Sequence, residues 1–196
     1  MRGSPLIIIE HRINTIDQLR RVPPEHGIEV DIRDYDGELR LVHDPFSSGE
    51  RLADLLAEYR HAFIIFNTKC DGLVEPVQAL AHRYGIDAYF FLDLASPTLI
   101  NLARRGERRI AVRYSEFEPL EAALALAGLV EWVWVDCFTH LPLTAASHRR
   151  LAGHFKICLV SPEMQGHPRA EIAAYRRQLA GLPLDAVCTD LPEAWR

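Results

Sequence analysis

The amino-acid sequence predicts an α/β fold built on a parallel sheet. Short apolar runs alternate with amphipathic stretches along all 196 residues, a pattern typical of parallel strands joined by helices. The apolar runs are continuous rather than alternating, as in strands that are covered on both faces. About eight such runs occur, which predicts a compact (β/α)8 TIM barrel; an open α/β sheet is the competing fold.

The predicted strands and helices alternate along the chain. The strand candidates are the apolar runs Leu6–His11, Ile28–Arg33, Phe63–Lys69, Tyr89–Asp93, Arg109–Tyr114, Trp132–Cys137, Ile157–Ser161 and Ala186–Thr189. The helix candidates are the amphipathic stretches Asn14–Arg21, Arg51–Tyr59, Leu73–Tyr84, Pro97–Arg105, Pro119–Leu126, Thr144–Ala152 and Arg169–Ala180. Two helix starts carry cap signals, Ser96 before Pro97 and Thr144 before the helix that contains His148.

One segment departs from the alternation and predicts a β-hairpin after the second strand. Tyr35-Asp36-Gly37-Glu38 is a turn signal, and residues 39–43 that follow alternate between apolar and polar side chains. The hairpin would fold His43 back over the end of the second strand, near Glu29 and Asp31.

Composition narrows the classes of function. The net charge is -5 with acidic and basic residues mixed, whereas a general nucleic-acid binder needs a basic face. No apolar run approaches the length of a membrane span. The short apolar run that follows residues 1–5 does not have the pattern of a signal peptide. We therefore expect one domain over residues 1–196, located in the cytoplasm and without stable membrane insertion. The expected free thiols are Cys70, Cys137, Cys158 and Cys188.

Two carboxylates lie on the second predicted strand. Glu29 and Asp31 are one residue apart, so their side chains point to the same side of the strand. Such a pair repels unless a cation lies between the carboxylates, and hard oxygen ligands suit Mg²⁺ or Ca²⁺. The alternative is that one of the two forms a salt bridge with Arg12 or Arg33.

Two histidines accompany these acids and predict acid–base chemistry. His11 ends the first strand and His43 ends the hairpin, and imidazole transfers protons in both directions near neutral pH. Asp44 either orients His43 or starts the turn at Pro45, with the turn favoured. We expect the other histidines to be surface or loop residues: His26, His61, His82, His148, His154 and His167.

The order of these motifs resembles the glycerophosphodiester phosphodiesterase family. The matching motifs are His11-Arg12, Asn14-Thr15, Gly27-x-Glu29-x-Asp31, Asp36-Gly37, His43-Asp44-Pro45 and the closing Thr189-Asp190-Leu191-Pro192. The resemblance implies a metal-dependent barrel with His11 and His43 as the acid–base pair and Glu29 and Asp31 as metal ligands. It also implies that Arg12 and Lys69 contact the phosphate.

The chain departs from the family pattern at two places. Ile13 stands where glycine usually follows His-Arg, and Asn67-Thr68-Lys69 stands where Glu-x-Lys usually ends the third strand. Asn67 would then be a third, neutral oxygen ligand. Related phosphatidylinositol-phospholipase barrels vary at similar places, so the chain resembles a divergent member.

Further polar residues at strand ends are candidates for substrate contacts. The candidates for an acid that replaces the missing glutamate are Asp93, Asp136 and Glu163. Of these, Asp136 is preferred as a substrate or metal contact. Its alternative role is a hydrogen bond to a neighbouring loop. Arg113 is suited to bind a phosphate or carboxylate, or to form a salt bridge with Glu116 or Asp136.

The sequence thus predicts a metal-dependent phosphodiesterase that cleaves a small glycerophosphodiester-like or sugar or polyol phosphodiester by histidine acid–base catalysis. It would use one divalent cation, Mg²⁺ or Ca²⁺. Two alternatives stay open: a non-catalytic barrel that binds a phosphorylated ligand, and a phospholipase-type lyase that releases a cyclic phosphate. The sequence does not determine the oligomeric state.

Overall fold

The computed structural model describes residues 5–196, in which strands and helices alternate. The strands are β1 (Ile7–Glu10), β2 (Gly27–Tyr35), β3 (Glu38–Leu41), β4 (Glu50–Arg51), β5 (Phe63–Thr68), β6 (Tyr89–Leu92), β7 (Ala111–Tyr114), β8 (Trp132–Val135), β9 (Lys156–Val160) and β10 (Ala186–Thr189). The α-helices are α1 (Ile16–Leu19), α2 (Leu52–Glu58), α3 (Val74–Arg83), α4 (Ser96–Arg104), α5 (Leu120–Leu124), α6 (Ala145–Ala152) and α7 (Glu171–Gln178). The predicted alternation is confirmed.

The described residues form two compact units, which are treated one at a time. Residues 10–102 carry β2, β5 and β6 as parallel neighbours. The register places Asp31 opposite Asn67, and Asn67 opposite Leu92. The apolar side chains of these strands form a core, in which Phe66, Phe90 and Phe91 are fully buried.

The predicted hairpin is present in the unit of residues 10–102. β2 and β3 pair antiparallel, with Tyr35 opposite Glu38. Asp36 and Gly37 both have positive φ, 52° and 74°, which is the turn that the Asp-Gly pair favours. The short strand β4, which the sequence did not predict, pairs with β3.

The other unit comprises residues 5–9 and 103–196. Its strands follow the order β1-β10-β9-β8-β7, and the pairs from β10 to β7 are parallel. Thr144 caps α6 and accepts a hydrogen bond from the Ser147 backbone N–H, as predicted. The expectation of one domain over residues 1–196 stays a prediction, and so does closure of a barrel.

Two histidines that were expected at the surface or in loops are buried. His148 is buried on α6 and its Nε2 lies 2.8 Å from the Pro183 carbonyl oxygen, so the surface or loop prediction is wrong for this residue. His26 lies in a loop, as predicted, but it is buried and its Nδ1 is 2.7 Å from Glu10 Oε1. Both are satisfied structural histidines.

Candidate active site

The candidate site begins with two buried acids on β2. Glu29 and Asp31 are 0% and 1% exposed, and the alternation of the strand directs both to one side. Each uses one carboxylate oxygen in a hydrogen bond: Glu29 Oε2 accepts from the Arg12 backbone N–H, and Asp31 Oδ2 accepts from Asn14 Nδ2, both at 2.9 Å. The other oxygen of each is buried without a hydrogen bond.

The loop after β1 is folded around these acids. Asn14 Oδ1 accepts a hydrogen bond from the Asp31 backbone N–H at 2.9 Å, so Asn14 and Asp31 bond reciprocally. Arg12 has a φ of 54°, a left-handed conformation that is uncommon for a residue with a Cβ atom. In this conformation the loop brings His11 Nε2 to 4.0 Å from Glu29 Oε2 and Arg12 Nε to 3.8 Å from Asp31 Oδ2.

The end of β5 supplies an amide and an ammonium to the same place. Asn67 is 7% exposed and lies beside Asp31 in the sheet register. Lys69 Nζ lies 3.2 Å from Asp31 Oδ1 and 3.2 Å from Asp93 Oδ2. The structure therefore brings together six of the predicted site residues, namely His11, Arg12, Glu29, Asp31, Asn67 and Lys69.

Two oxygens at this site are buried without a hydrogen-bond donor, Glu29 Oε1 and Asn67 Oδ1. A third, Asp31 Oδ1, is buried without a hydrogen bond of regular geometry and has the Lys69 ammonium at 3.2 Å. A buried oxygen without a donor destabilises a fold unless a partner is supplied, and two carboxylates with one amide carbonyl are a donor set of the kind that Mg²⁺ and Ca²⁺ accept. The residues present therefore fit a divalent cation. No cluster of three His, Cys, Asp or Glu side chains suited to a metal occurs in residues 5–196; here the third oxygen belongs to an amide.

Burial controls the protonation of Glu29. Burial raises the pKa of the Glu29 carboxyl, and the nearby Asp31 carboxylate raises it further. His11 and the hydrogen bonds from the Arg12 backbone and the Asn67 side chain act in the opposite direction. The metal-free site therefore resists holding both carboxylates in charged form, and a bound cation would relieve this repulsion.

The hairpin returns the segment that carries His43 to the middle of β2, beside Asp31. The Val42 backbone N–H donates to the Asp31 carbonyl oxygen at 3.0 Å. The His43 side chain is 43% exposed, and its Nδ1 lies 2.9 Å from Asp44 Oδ1. This contact lowers the pKa of the Asp44 carboxyl, and it shows Asp44 in the orienting position that the sequence left open.

One arginine that the sequence analysis considered only as a salt-bridge partner joins two parts of the site. Arg33 Nε donates to the His43 carbonyl oxygen at 2.9 Å, and Arg33 Nη1 donates to the Lys69 carbonyl oxygen at 3.0 Å. Arg12, not Arg33, is the arginine whose side chain lies near Asp31. Asn14 was identified only as part of a motif. The position of Arg33 could have indicated that it belongs to the site, since it follows Asp31 by two residues and therefore lies on the same side of β2.

Arg113 and Asp136 lie in the unit of residues 5–9 and 103–196, where they form a salt bridge. Arg113 Nη1 donates to Asp136 Oδ2 at 2.7 Å. Asp136 also accepts from Trp134 Nε1, the Cys137 backbone N–H and Gln165 Nε2. This matches the alternative role that the sequence offered for each residue, and their contact with substrate stays a prediction.

Glu163 also supports neighbouring loops. Its Oε1 accepts hydrogen bonds from Thr189 Oγ1 and from the Asp190 backbone N–H, at 2.5 and 3.1 Å. Its Oε2 accepts from Ser161 Oγ. The closing Thr189-Asp190 motif is thereby held at the end of β10.

Comparison with known proteins shows the fold. The chain is similar to the glycerophosphodiester phosphodiesterase of Agrobacterium tumefaciens strain C58, with a TM-score of 0.68 and 17% identity over 97% of this chain and 99% of that one. It is also similar to a glycerophosphoryl diester phosphodiesterase from Parabacteroides distasonis, with a TM-score of 0.65 and 12% identity over 96% and 84% of the two chains. The chain has the fold of these phosphodiesterases. The predicted fold class is thus confirmed.

The same fold also serves a different chemistry. A tryptophan synthase α-subunit from Pyrococcus furiosus matches with a TM-score of 0.62 and 15% identity over 96% of this chain and 88% of that one. No protein-family model and no curated protein sequence matches the chain. At these identities the likeness extends to the fold alone, so activity has to be argued from the site.

Proposed function

We propose that the chain is a metal-dependent phosphodiesterase that cleaves a small glycerophosphodiester-like or sugar or polyol phosphodiester. The observation that carries the proposal is the set of three buried oxygens on Glu29, Asp31 and Asn67. Two of them have no hydrogen-bond donor and the third contacts only an ammonium that can move away; cationic side chains suited to a phosphate lie beside them. Two proteins that share the fold are phosphodiesterases, which agrees with this proposal; the acids and cations of the site, not the fold, favour it over the tryptophan synthase chemistry.

The proposed cation is Mg²⁺ or Ca²⁺, and Glu29, Asp31 and Asn67 would hold it. When bound, it supplies Lewis-acid stabilisation to a phosphoryl oxygen. Arg12 and Lys69 would bind the same phosphoryl group; the Arg12 side chain is 51% exposed and therefore accessible to substrate. Charge that develops on the phosphoryl oxygens in the transition state would meet these two cations.

His11 and His43 would transfer the protons. One histidine takes the proton from the attacking hydroxyl, and the other gives a proton to the oxygen of the leaving alcohol. His43 Nδ1 is engaged by Asp44, which leaves Nε2 to face the substrate. When water is the attacking group the products are a phosphomonoester and an alcohol, whereas attack by an internal hydroxyl of the substrate gives a cyclic phosphate.

Turnover of a glycerophosphodiester by the purified chain tests the proposal. We expect activity with added Mg²⁺, Ca²⁺ or Mn²⁺, loss of activity in EDTA, and a loss of at least about a hundredfold in His11→Ala and in His43→Ala. His82→Ala is the matched control, because His82 is exposed on α3 and lies outside the site. Phosphorus NMR of the product distinguishes a phosphomonoester from a persistent cyclic phosphate.

The competing interpretation is a barrel that binds a phosphorylated ligand without cleaving it. Saturable binding of a phosphodiester with no turnover under any of these metals would favour that interpretation and contradict the proposed activity. Turnover that survives both histidine substitutions would instead contradict the proposed acid–base pair.

We also propose a cytoplasmic location, a small-molecule partner and no nucleic-acid partner. All four cysteines are free thiols, three of them buried, which suits a reducing compartment. Within the part of the chain that the structure describes, no helix has the length and apolar character needed to cross a membrane.

A further inference from the structure

The Lys69 ammonium lies between two carboxylates, one of which belongs to the proposed cation site. Its Nζ is 3.2 Å from Asp31 Oδ1 and 3.2 Å from Asp93 Oδ2. Asp31 Oδ1 is also one of the three buried oxygens proposed to hold the cation, and its contact with Lys69 is an ion pair without regular hydrogen-bond geometry. In the metal-free chain, therefore, an ammonium contacts the same oxygen that a divalent cation would need.

Asp93 is fixed in a conformation that brings its carboxylate to Lys69. It follows the last residue of β6 and has a φ of 62°, a left-handed conformation that side-chain-bearing residues seldom adopt. Its side chain is 24% exposed and that of Lys69 is 15% exposed, so water screens the pair only partly. The Lys69 backbone is fixed as well, because its N–H donates to the Ile32 carbonyl oxygen at 2.9 Å.

We propose that Asp93 is a positioning residue that holds the Lys69 ammonium when a divalent cation takes Asp31 Oδ1. This inference rests on the proposed cation site. An ammonium and a divalent cation on one carboxylate oxygen repel each other strongly at the short distances involved. A lysine side chain is a point charge on a flexible stem, and Lys69 already contacts Asp93, so it can leave Asp31 without losing its carboxylate partner.

The inference makes the effect of Asp93 depend on Lys69. Without the Asp93 carboxylate, Lys69 would stay on Asp31 and compete with the cation for that oxygen. Without the Lys69 ammonium there is no competitor, so the Asp93 carboxylate would matter little. A general attraction between Asp93 and the cation would instead contribute equally with and without Lys69. A double-mutant cycle of Asp93 and Lys69 distinguishes this attraction from the proposed positioning of Lys69.

The test is calorimetric titration of the full, metal-stripped chain with Mg²⁺ and Mn²⁺. The proteins are wild type, Asp93→Asn, Lys69→Met and the double variant. We expect Asp93→Asn to weaken binding about tenfold and the double variant to bind within about threefold of Lys69→Met. Asp93→Gly is a second variant that removes the carboxylate and suits the positive φ; it should match Asp93→Asn. Asp87→Asn, which removes an exposed carboxylate outside the site, should match wild type.

The outcomes separate this inference from the proposed function. Cation binding by wild type that Asp93→Asn and Asp93→Gly leave unchanged, or that they weaken equally in the Lys69→Met background, overturns the role of Asp93 and leaves the cation site intact. Absence of cation binding in all of these proteins, Lys69→Met included, overturns the cation site and the inference together. Binding that appears only once Lys69 is replaced shows that the ammonium competes with the cation but overturns the role of Asp93, because Asp93 would then fail to draw Lys69 away from Asp31 in wild type.

Discussion

The reciprocal pair between Asn14 and Asp31 predicts a large effect from a small deletion. Asn14→Ala removes the hydrogen bonds from Asn14 Nδ2 to Asp31 Oδ2 and from the Asp31 N–H to Asn14 Oδ1, each 2.9 Å long. Asp31 is 1% exposed, so water cannot readily replace either partner. A hydrogen bond to a charged group contributes about 1.5–3 kcal/mol and a neutral one about 0.5–1.5 kcal/mol. We expect a loss of about 2–4 kcal/mol in the free energy of unfolding.

Urea denaturation of the metal-free protein measures this loss, read as a lower midpoint at an unchanged slope. Asn101→Ala is the matched control, since Asn101 is exposed in α4 and its loss should change stability by less than about 0.5 kcal/mol. Asn14→Asp should be worse than Asn14→Ala, because it places a second carboxylate against Asp31 Oδ2. A midpoint for Asn14→Ala equal to that of the control would refute the argument that this pair organises the loop after β1.

Three further predictions concern protonation, thiol reactivity and the second cluster of polar residues. The pKa of Glu29 is raised in the folded chain, so its contribution to the free energy of unfolding is fully present below the unfolded pKa and is lost as pH rises through the folded pKa. In EDTA, the urea midpoint should therefore fall from pH 5 to pH 7.5, and it should fall less in Glu29→Gln than in wild type. Cys70 should be the first thiol to react with a thiol reagent in the native protein, because the other three cysteines are buried. Asp34→Asn should speed the reaction, because burial and the hydrogen bond to Asp34 raise the pKa of the Cys70 thiol. Asp136→Ala should cost at least about 3 kcal/mol in a urea melt, since it leaves several donors without their acceptor; a cost near zero would contradict the structural role of this carboxylate.

The fold could be predicted because its signals are local and repeated. Continuous apolar runs mark strands, and the Asp36-Gly37 pair marks a hairpin whose positive φ values then appear in the structure. The ends of elements were less predictable: the strand predicted over Trp132–Cys137 ends at Val135. Asp136 and Cys137, which the prediction placed in the strand, already lie in the loop, where the Cys137 N–H donates to the Asp136 side chain.

The candidate site was predictable in composition but not in its internal connections. The acids of β2 could be identified from their spacing on one strand. The bond between Asn14 and Asp31 depends on the left-handed turn at Arg12, and nothing in the residue type of Arg12 indicates that conformation. His148 was mistaken for a surface residue because one histidine in an amphipathic helix does not reveal that the Pro183 carbonyl lies within hydrogen-bond distance.

The neutral amide at Asn67 is consistent with the charges around it. Glu29 and Asp31 already repel each other, which is one reason that the pKa of Glu29 is raised. A third carboxylate in place of Asn67 would add to this repulsion in a buried position, whereas Asp93 places its negative charge at the partly exposed end of β6, against the Lys69 ammonium. The chain thus keeps a third acid beside the site without adding it to the buried pair. Under the proposed cation chemistry, this arrangement lowers the electrostatic cost of the metal-free state while leaving three oxygens available to a cation.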